Sequence, residues 1–143
     1  MTQSTTALQT VLVNLIDLGL ISKQAHWNIC GPNFLPVHTH LDELTDQLIA
    51  WQDEVAERIT ALGEYPDGRA ATVASTSSIA PADAGAQKDT AVVRDFANRL
   101  AALSTKISAM LSDVEDDMPT QDVLIGIVSG LDKEAWFFRA QLA

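Results

Sequence analysis

The chain has 143 residues, 47% of them hydrophobic, with few glycines and prolines, so it can bury a sizeable single-domain core and is not disordered as a whole. Nine basic against nineteen acidic residues give a formal charge of −10, which disfavours a broad nonspecific nucleic-acid footprint and favours attraction of cations. Cys30 is the only cysteine, so an intrachain disulfide is excluded, a reducing compartment fits, and a packed or incidental thiol is expected there.

The opening MTQSTTALQT lacks a basic segment, and the apolar run after it is amphipathic and interrupted by Asn14 and Asp17. Neither a signal peptide nor a membrane span is expected, and a cytoplasmic location follows. Leu8, Val11, Leu12, Leu15 and Ile16 recur at helical spacing and predict a first helix, N-capped by Thr5 or Thr6, that runs to about residue 29. His26 continues the direction of Leu8, Leu15 and Ser22 toward the core. Trp27 follows it and is expected to pack in the core.

Gly31 and Pro32 mark a turn, Asn33 is a candidate N-cap, and Pro36 in a first turn loses no helical hydrogen bond. The second helix is predicted over about 34–62, ended by Gly63, with an apolar stripe of Val37, Leu41, Leu44, Leu48, Trp51, Val55 and Leu62. From 63 to about 87 the chain is rich in Gly, Pro, Ser, Thr and Ala, with a turn or two of helix expected over 70–74. A connection that long inside one domain is expected to cross over between two helical hairpins. Val93, Phe96, Ala97, Leu100, Leu103, Ile107, Met110 and Leu111 predict a third helix over 89–111. An acidic turn follows, and a fourth helix begins at Thr120 with Leu124, Ile127, Leu131, Ala135, Phe138 and Leu142 as its core stripe. The predicted fold is an all-α four-helix bundle with a long crossover between the second and third helices, a single domain over 1–143.

The chemistry concentrates between Lys23 and Glu57, in His26, His38, Asp42, Asp53 and Glu57. Imidazoles with carboxylates suit iron, manganese or zinc, and the lack of paired thiolates argues against soft metals and iron–sulfur clusters. His38 and Asp42 are four residues apart, as are Asp53 and Glu57, so on a helix each pair projects from one face. One helix cannot unite the pairs, because Asp42 and Asp53 lie roughly 16 Å apart along the axis. The four positions are, however, symmetrical about the Gln47–Leu48 peptide. An antiparallel copy about a two-fold axis there would set His38 beside the copy's residue 57 and Asp42 beside its residue 53, giving two identical sites per dimer. The four ligand positions lie roughly 100–200° from the apolar stripe, leaving them free to face a partner. For His26, a hydrogen-bonded core histidine remains the alternative to a ligand. His40, turned about 200° from His38, is read as surface or cavity lining.

KQAHWNICGPNFLPVHTHLDELTDQLIAWQDEVAERITALG, with its HWN, GPNF and H-x3-D…D-x3-E elements, resembles the signature of the DNA-binding proteins from starved cells, the Dps branch of the ferritin-like superfamily. LDKEAWFF resembles the family's last helix, and the likeness is weak only between about 66 and 88. The resemblance implies a ferritin-like fold and a hollow homododecamer built from two-fold dimers. It implies ferroxidase centres at those dimer interfaces that oxidise Fe²⁺, preferentially with hydrogen peroxide over oxygen, and store the ferric product inside. His26, His38 and Asp42 of one subunit and Asp53 and Glu57 of its neighbour match the family's ligands without substitution. Asp42 and Glu57 are expected to be most central, with Asp53 ligating or orienting a neighbour.

The resemblance also places Asp113, Asp117 and Asp122 at acidic three-fold pores that would concentrate Fe²⁺; the alternative is a solvated acidic loop with Asp122 at a helix N-terminus. Glu43 and Glu54, both off the core stripe, are candidates for mineral nucleation. Beside Trp27's packing role, the resemblance suggests shielding of the site or interception of an oxidising equivalent. The family name invites a rival function, compaction of DNA. Members that bind DNA directly often use basic tails, whereas here no Lys or Arg precedes Lys23 and the last helix reaches nearly to Ala143, so direct binding is not expected and a divalent-bridged association is the alternative left open. A zinc or manganese hydrolase would use the same ligands, although no nucleophile or substrate pocket is evident beside them.

Overall fold

In the computed structural model, which describes Met1–Ala143, two long-helix hairpins pack against each other and a crossover segment runs along one side. The first hairpin is α1 (Gln3–Asn28) and α2 (Phe34–Ala61). The second is α4 (Asp89–Met110) and α5 (Met118–Ala140), joined by a 3-10 turn over Leu111–Val114. The crossover carries α3 (Ala70–Thr76), about two turns that begin where expected and end two residues later.

Helix ends differ from expectation where long-range or side-chain bonds decide them. α1 begins three residues early because Thr2, not Thr5 or Thr6, caps it, its hydroxyl accepting the Thr5 N–H at 3.1 Å. Asn33 precedes α2 but its side chain makes no cap bond. α5 starts at Met118 rather than Thr120 because the Asp117 carboxylate accepts the Thr120 N–H and hydroxyl, at 3.3 and 2.6 Å, and Pro119 fits the first turn. The sequence also gave no sign of the two-residue strands β1 (Ile29–Cys30) and β2 (Gln87–Lys88), which pair in parallel and tie the first hairpin's turn to the start of α4.

The core runs the length of the bundle. Leu8, Leu15 and Leu18 of α1 meet Leu41, Leu44 and Leu48 of α2, Phe96 and Leu100 of α4, and Leu131 and Phe138 of α5, all fully buried. Each such side chain contributes about 1.5–3 kcal/mol by leaving water. Six of the seven residues expected in the α2 stripe are buried. Leu62 is instead exposed beyond the helix end, and Ile59 fills the last core position. Leu142 is likewise exposed, just past α5. By length and composition α1 could cross a membrane, but most of its apolar stretch is buried within the bundle.

The crossover is pinned to α1. Gln9 bonds both the N–H and the carbonyl of Asp67, at 2.9 and 2.8 Å, and Asn14 accepts the Ser78 N–H at 2.9 Å, while Val73 of α3 is buried. These bonds satisfy backbone groups that a structureless loop would leave to water.

Candidate metal centre

The first hairpin brings His26, in the last turn of α1, against His38, in the second turn of α2. Their rings stack with centroids 3.7 Å apart and planes 13° from parallel. Each Nδ1 lies 2.7 Å from the other residue's backbone carbonyl. A carbonyl can only accept, so both Nδ1 atoms donate, which leaves Nε2 as the ring nitrogen whose lone pair a metal would take. Reciprocal bonding of this kind orients histidine ligands from the side opposite the metal. His26 is only 9% exposed, and Phe34 stacks on the other neighbour, His38, at 4.8 Å.

Asp42, one turn after His38, completes the intrachain half. Its Oδ1 lies 3.9 Å from His26 Nε2 and contacts the Lys23 ammonium. The hydrogen bond from Lys23 outweighs the opposing effect of desolvation and, with the positive charge Lys23 carries, holds the half-exposed Asp42 carboxyl below its ordinary range. Sequence reasoning passed over Lys23. Its signal was its position three residues before His26, which on a helix puts it on the same face.

Asp53 and Glu57 also lie on α2, both exposed, and the structure does not bring them to the histidines. Within one chain no three His, Cys, Asp or Glu side chains converge on a point that could hold a metal. The ligand face is nonetheless not an ordinary solvated surface. Ile49, at 54% exposure, sits between Asp42 and Asp53 along α2 and within about 40° of both in helical direction, and Leu20 and Trp27 of α1 are 63% and 67% exposed. Trp27 was expected in the core. His26 takes the inward direction, and the next residue, about 100° around the helix, therefore points out.

The other candidates lie apart. His40 is stacked on Phe138 at 4.2 Å; its Nε2 donates to Glu134 at 2.9 Å and its Nδ1 accepts from Gln141 at 3.3 Å, so neither nitrogen is open to a metal. Asp117 caps α5 and accepts from Arg58 at 3.0 Å. Burial works to raise its carboxyl, but hydrogen bonding to Thr120 and Ser4, with the Arg58 charge, outweighs that and holds it low. Asp113, Asp122, Glu43 and Glu54 are exposed. Cys30 is exposed too, rather than packed, its thiol 3.5 Å from the Gln87 carbonyl.

The five ligand candidates fit iron by donor type, and the fold is that of a ferritin-like domain, whose family model matches residues 5–143. A DNA protection during starvation protein of Mycolicibacterium smegmatis is 35% identical over 144 residues, covering 94% of this chain and 74% of the relative. Among solved structures, Dps92 of Deinococcus radiodurans superposes with a TM-score of 0.93 at 32% identity, over 96% of this chain and 84% of that one. Dps from Microbacterium arborescens, in a high iron form, does so with a TM-score of 0.91 at 33% identity, over 98% and 92%. The chain belongs to the Dps family of ferritin-like proteins.

Proposed function

We propose that this protein is an iron-storing mini-ferritin that oxidises Fe²⁺ at sites completed by a second copy of the chain. The observation that carries this reading is the pair of stacked imidazoles, with Nδ1 atoms tied back and Nε2 atoms free, beside Asp42 on a helix face that also carries Asp53, Glu57 and exposed Ile49. An antiparallel partner would bring its residues 53 and 57 to Asp42 and His38 and cover the apolar side chains between them. The description of the Microbacterium arborescens relative in a high iron form supports iron as the cargo.

Fe²⁺ is the substrate. His26 and His38 would supply nitrogen ligands, and the carboxylates would stabilise the Fe³⁺ that results. Two ferrous ions give one electron each to hydrogen peroxide, which with two protons yields two Fe³⁺ and two waters, so no hydroxyl radical need be released. Lys23 would neutralise Asp42 until iron arrives and then give way to it. Two-fold dimers would assemble into a hollow dodecamer, with Glu43 and Glu54, which share a face of α2, available to seed mineral inside. With Asp117 engaged by Arg58 and Thr120, an acidic entry path would rest chiefly on Asp113 and Asp122.

Anaerobic loading with Fe²⁺ followed by stopped-flow addition of peroxide tests the reading. A fast phase consuming about one peroxide per two irons is expected; slow oxidation no faster than that of free Fe²⁺ would overturn it. The relatives' names make DNA protection a second reading. At a charge of −10 the expected route is divalent-bridged association, so a low-salt gel shift should appear with Mg²⁺ and vanish without it.

A further inference from the structure

The turn that joins α1 to α2 sets how far apart the two imidazoles stand, and that turn is wrapped around a side chain from the other hairpin. Asp89, the first residue of α4, is 4% exposed. Its Oδ2 accepts the Asn33 N–H at 2.7 Å and its Oδ1 accepts its neighbour Thr90's N–H at 2.8 Å. The carboxylate also sits at a helix N-terminus, where negative charge is favoured. Gly31 lies directly over it: a Cβ at that position would stand 2.6 Å from Asp89 Cγ and Oδ1, and φ there is +132°, a region side chains avoid. Pairing of Cys30 with Lys88 brings the two segments together just before this point. From the far side of the turn, the Phe34 N–H bonds the Gly31 carbonyl at 3.1 Å, and Phe34 stacks on His38. A continuous chain of contacts thus runs from Asp89 through Gly31, Asn33 and Phe34 to the stacked histidines.

We infer that Asp89 is a positioning residue for the metal centre: by clamping the Gly31–Asn33 turn it holds His26 and His38 in register, each Nδ1 on the other's carbonyl, before any metal binds. The inference rests on reading the two histidines as iron ligands for its consequence, but not for the geometry it asserts. The charge matters as well as the shape. Asn at this position keeps the size and one acceptor oxygen but presents NH₂ to one of the two N–H groups that the carboxylate now satisfies.

The experiment compares wild type with Asp89→Asn and Gly31→Ala as assembled proteins, below their unfolding temperatures. Hydrogen–deuterium exchange at the imidazole Cε1 positions is followed by mass spectrometry, with His40, held by Glu134 and Phe138, as internal reference. In both variants His26 and His38 should exchange several-fold faster while His40 is unchanged. Unchanged His26 and His38 in Asp89→Asn would overturn the inference, and so would equal acceleration of all three histidines, which is the mark of a merely structural role. Zn²⁺ titration of the metal-free proteins then reads the consequence, with Asp89→Asn expected to bind about 10- to 100-fold more weakly, the usual loss when an orienting partner is removed. If wild type and His38→Ala bind Zn²⁺ equally, the iron-site reading falls while the exchange result still decides the role of Asp89.

Discussion

The two halves of the proposed centre are built differently. The half made by His26, His38 and Asp42 is organised within one chain: rings stacked, Nδ1 atoms bonded, the carboxylate neutralised by Lys23. The half made by Asp53 and Glu57 is exposed on the same helix, next to an isoleucine that faces solvent in the single chain. On the proposed reading, a fold that presets the imidazoles yet leaves the carboxylates open would place the costly ordering in the monomer and leave completion of the site to assembly. Carboxylates are costly to bury unpaired and rest in water without that cost, whereas the buried His26 ring needs the bundle packed around it.

The largest effect expected from breaking this contrast is on the organised half. His38→Ala removes a ligand and the ring stacked on His26, while the backbone carbonyl that accepts from His26 Nδ1 stays, so fast Fe²⁺ oxidation should fall by about two orders of magnitude in stopped-flow assays, the upper end of what ligand-shell losses cost. His40→Ala should leave the fast phase intact, because neither of its nitrogens is free. Equal losses in the two variants would mean that the wrong imidazole has been assigned. On the open half, Asp53→Asn with Glu57→Gln should abolish the fast phase as well, yet leave thermal stability within about 0.5 kcal/mol of wild type, as surface changes do. A large loss of stability would show those carboxylates to be structural.

A smaller effect is expected far from the site. Asp117→Asn weakens the α5 cap and the Arg58 pairing and should cost about 1 kcal/mol by denaturant melts at neutral pH. Because the Asp117 carboxyl is held below its ordinary range in the folded state, its contribution is present above about pH 4 and is lost as pH falls through the folded value. The difference between variant and wild type should therefore shrink in acid; a difference that grows would reverse the assigned sign.

Much of this was legible beforehand because it is periodic or local. The i,i+4 ligand pairs, their symmetry about Gln47 and Leu48, and the four core stripes all follow from helical spacing, and the stripes failed only at Leu62 and Leu142, beyond helix ends where the period no longer applies. What was hidden depends on contacts between distant segments. Asp89 reaches the Gly31–Asn33 turn across more than fifty residues, and no spacing rule links the two. The β1–β2 pairing is two residues long, too short for an alternating pattern. Trp27 is apolar and was assigned to the core on residue type, whereas its neighbour His26 had already claimed the inward direction. Composition cannot distinguish a face that meets the core from one awaiting a second chain.

Complementation between half-sites tests the shared centre most directly. One variant lacks His38 and Asp42, another lacks Asp53 and Glu57, and each alone should assemble without fast oxidation. Co-expressed, a mixed dimer carries one site with all four defects and one site fully intact. Random pairing makes half the dimers mixed, so about a quarter of wild-type sites should return by the two-fold geometry. If mass measurement verifies co-assembly and fast oxidation is still absent, each site is confined to one chain and the pairing of 38 with 57 and 42 with 53 across the interface is wrong.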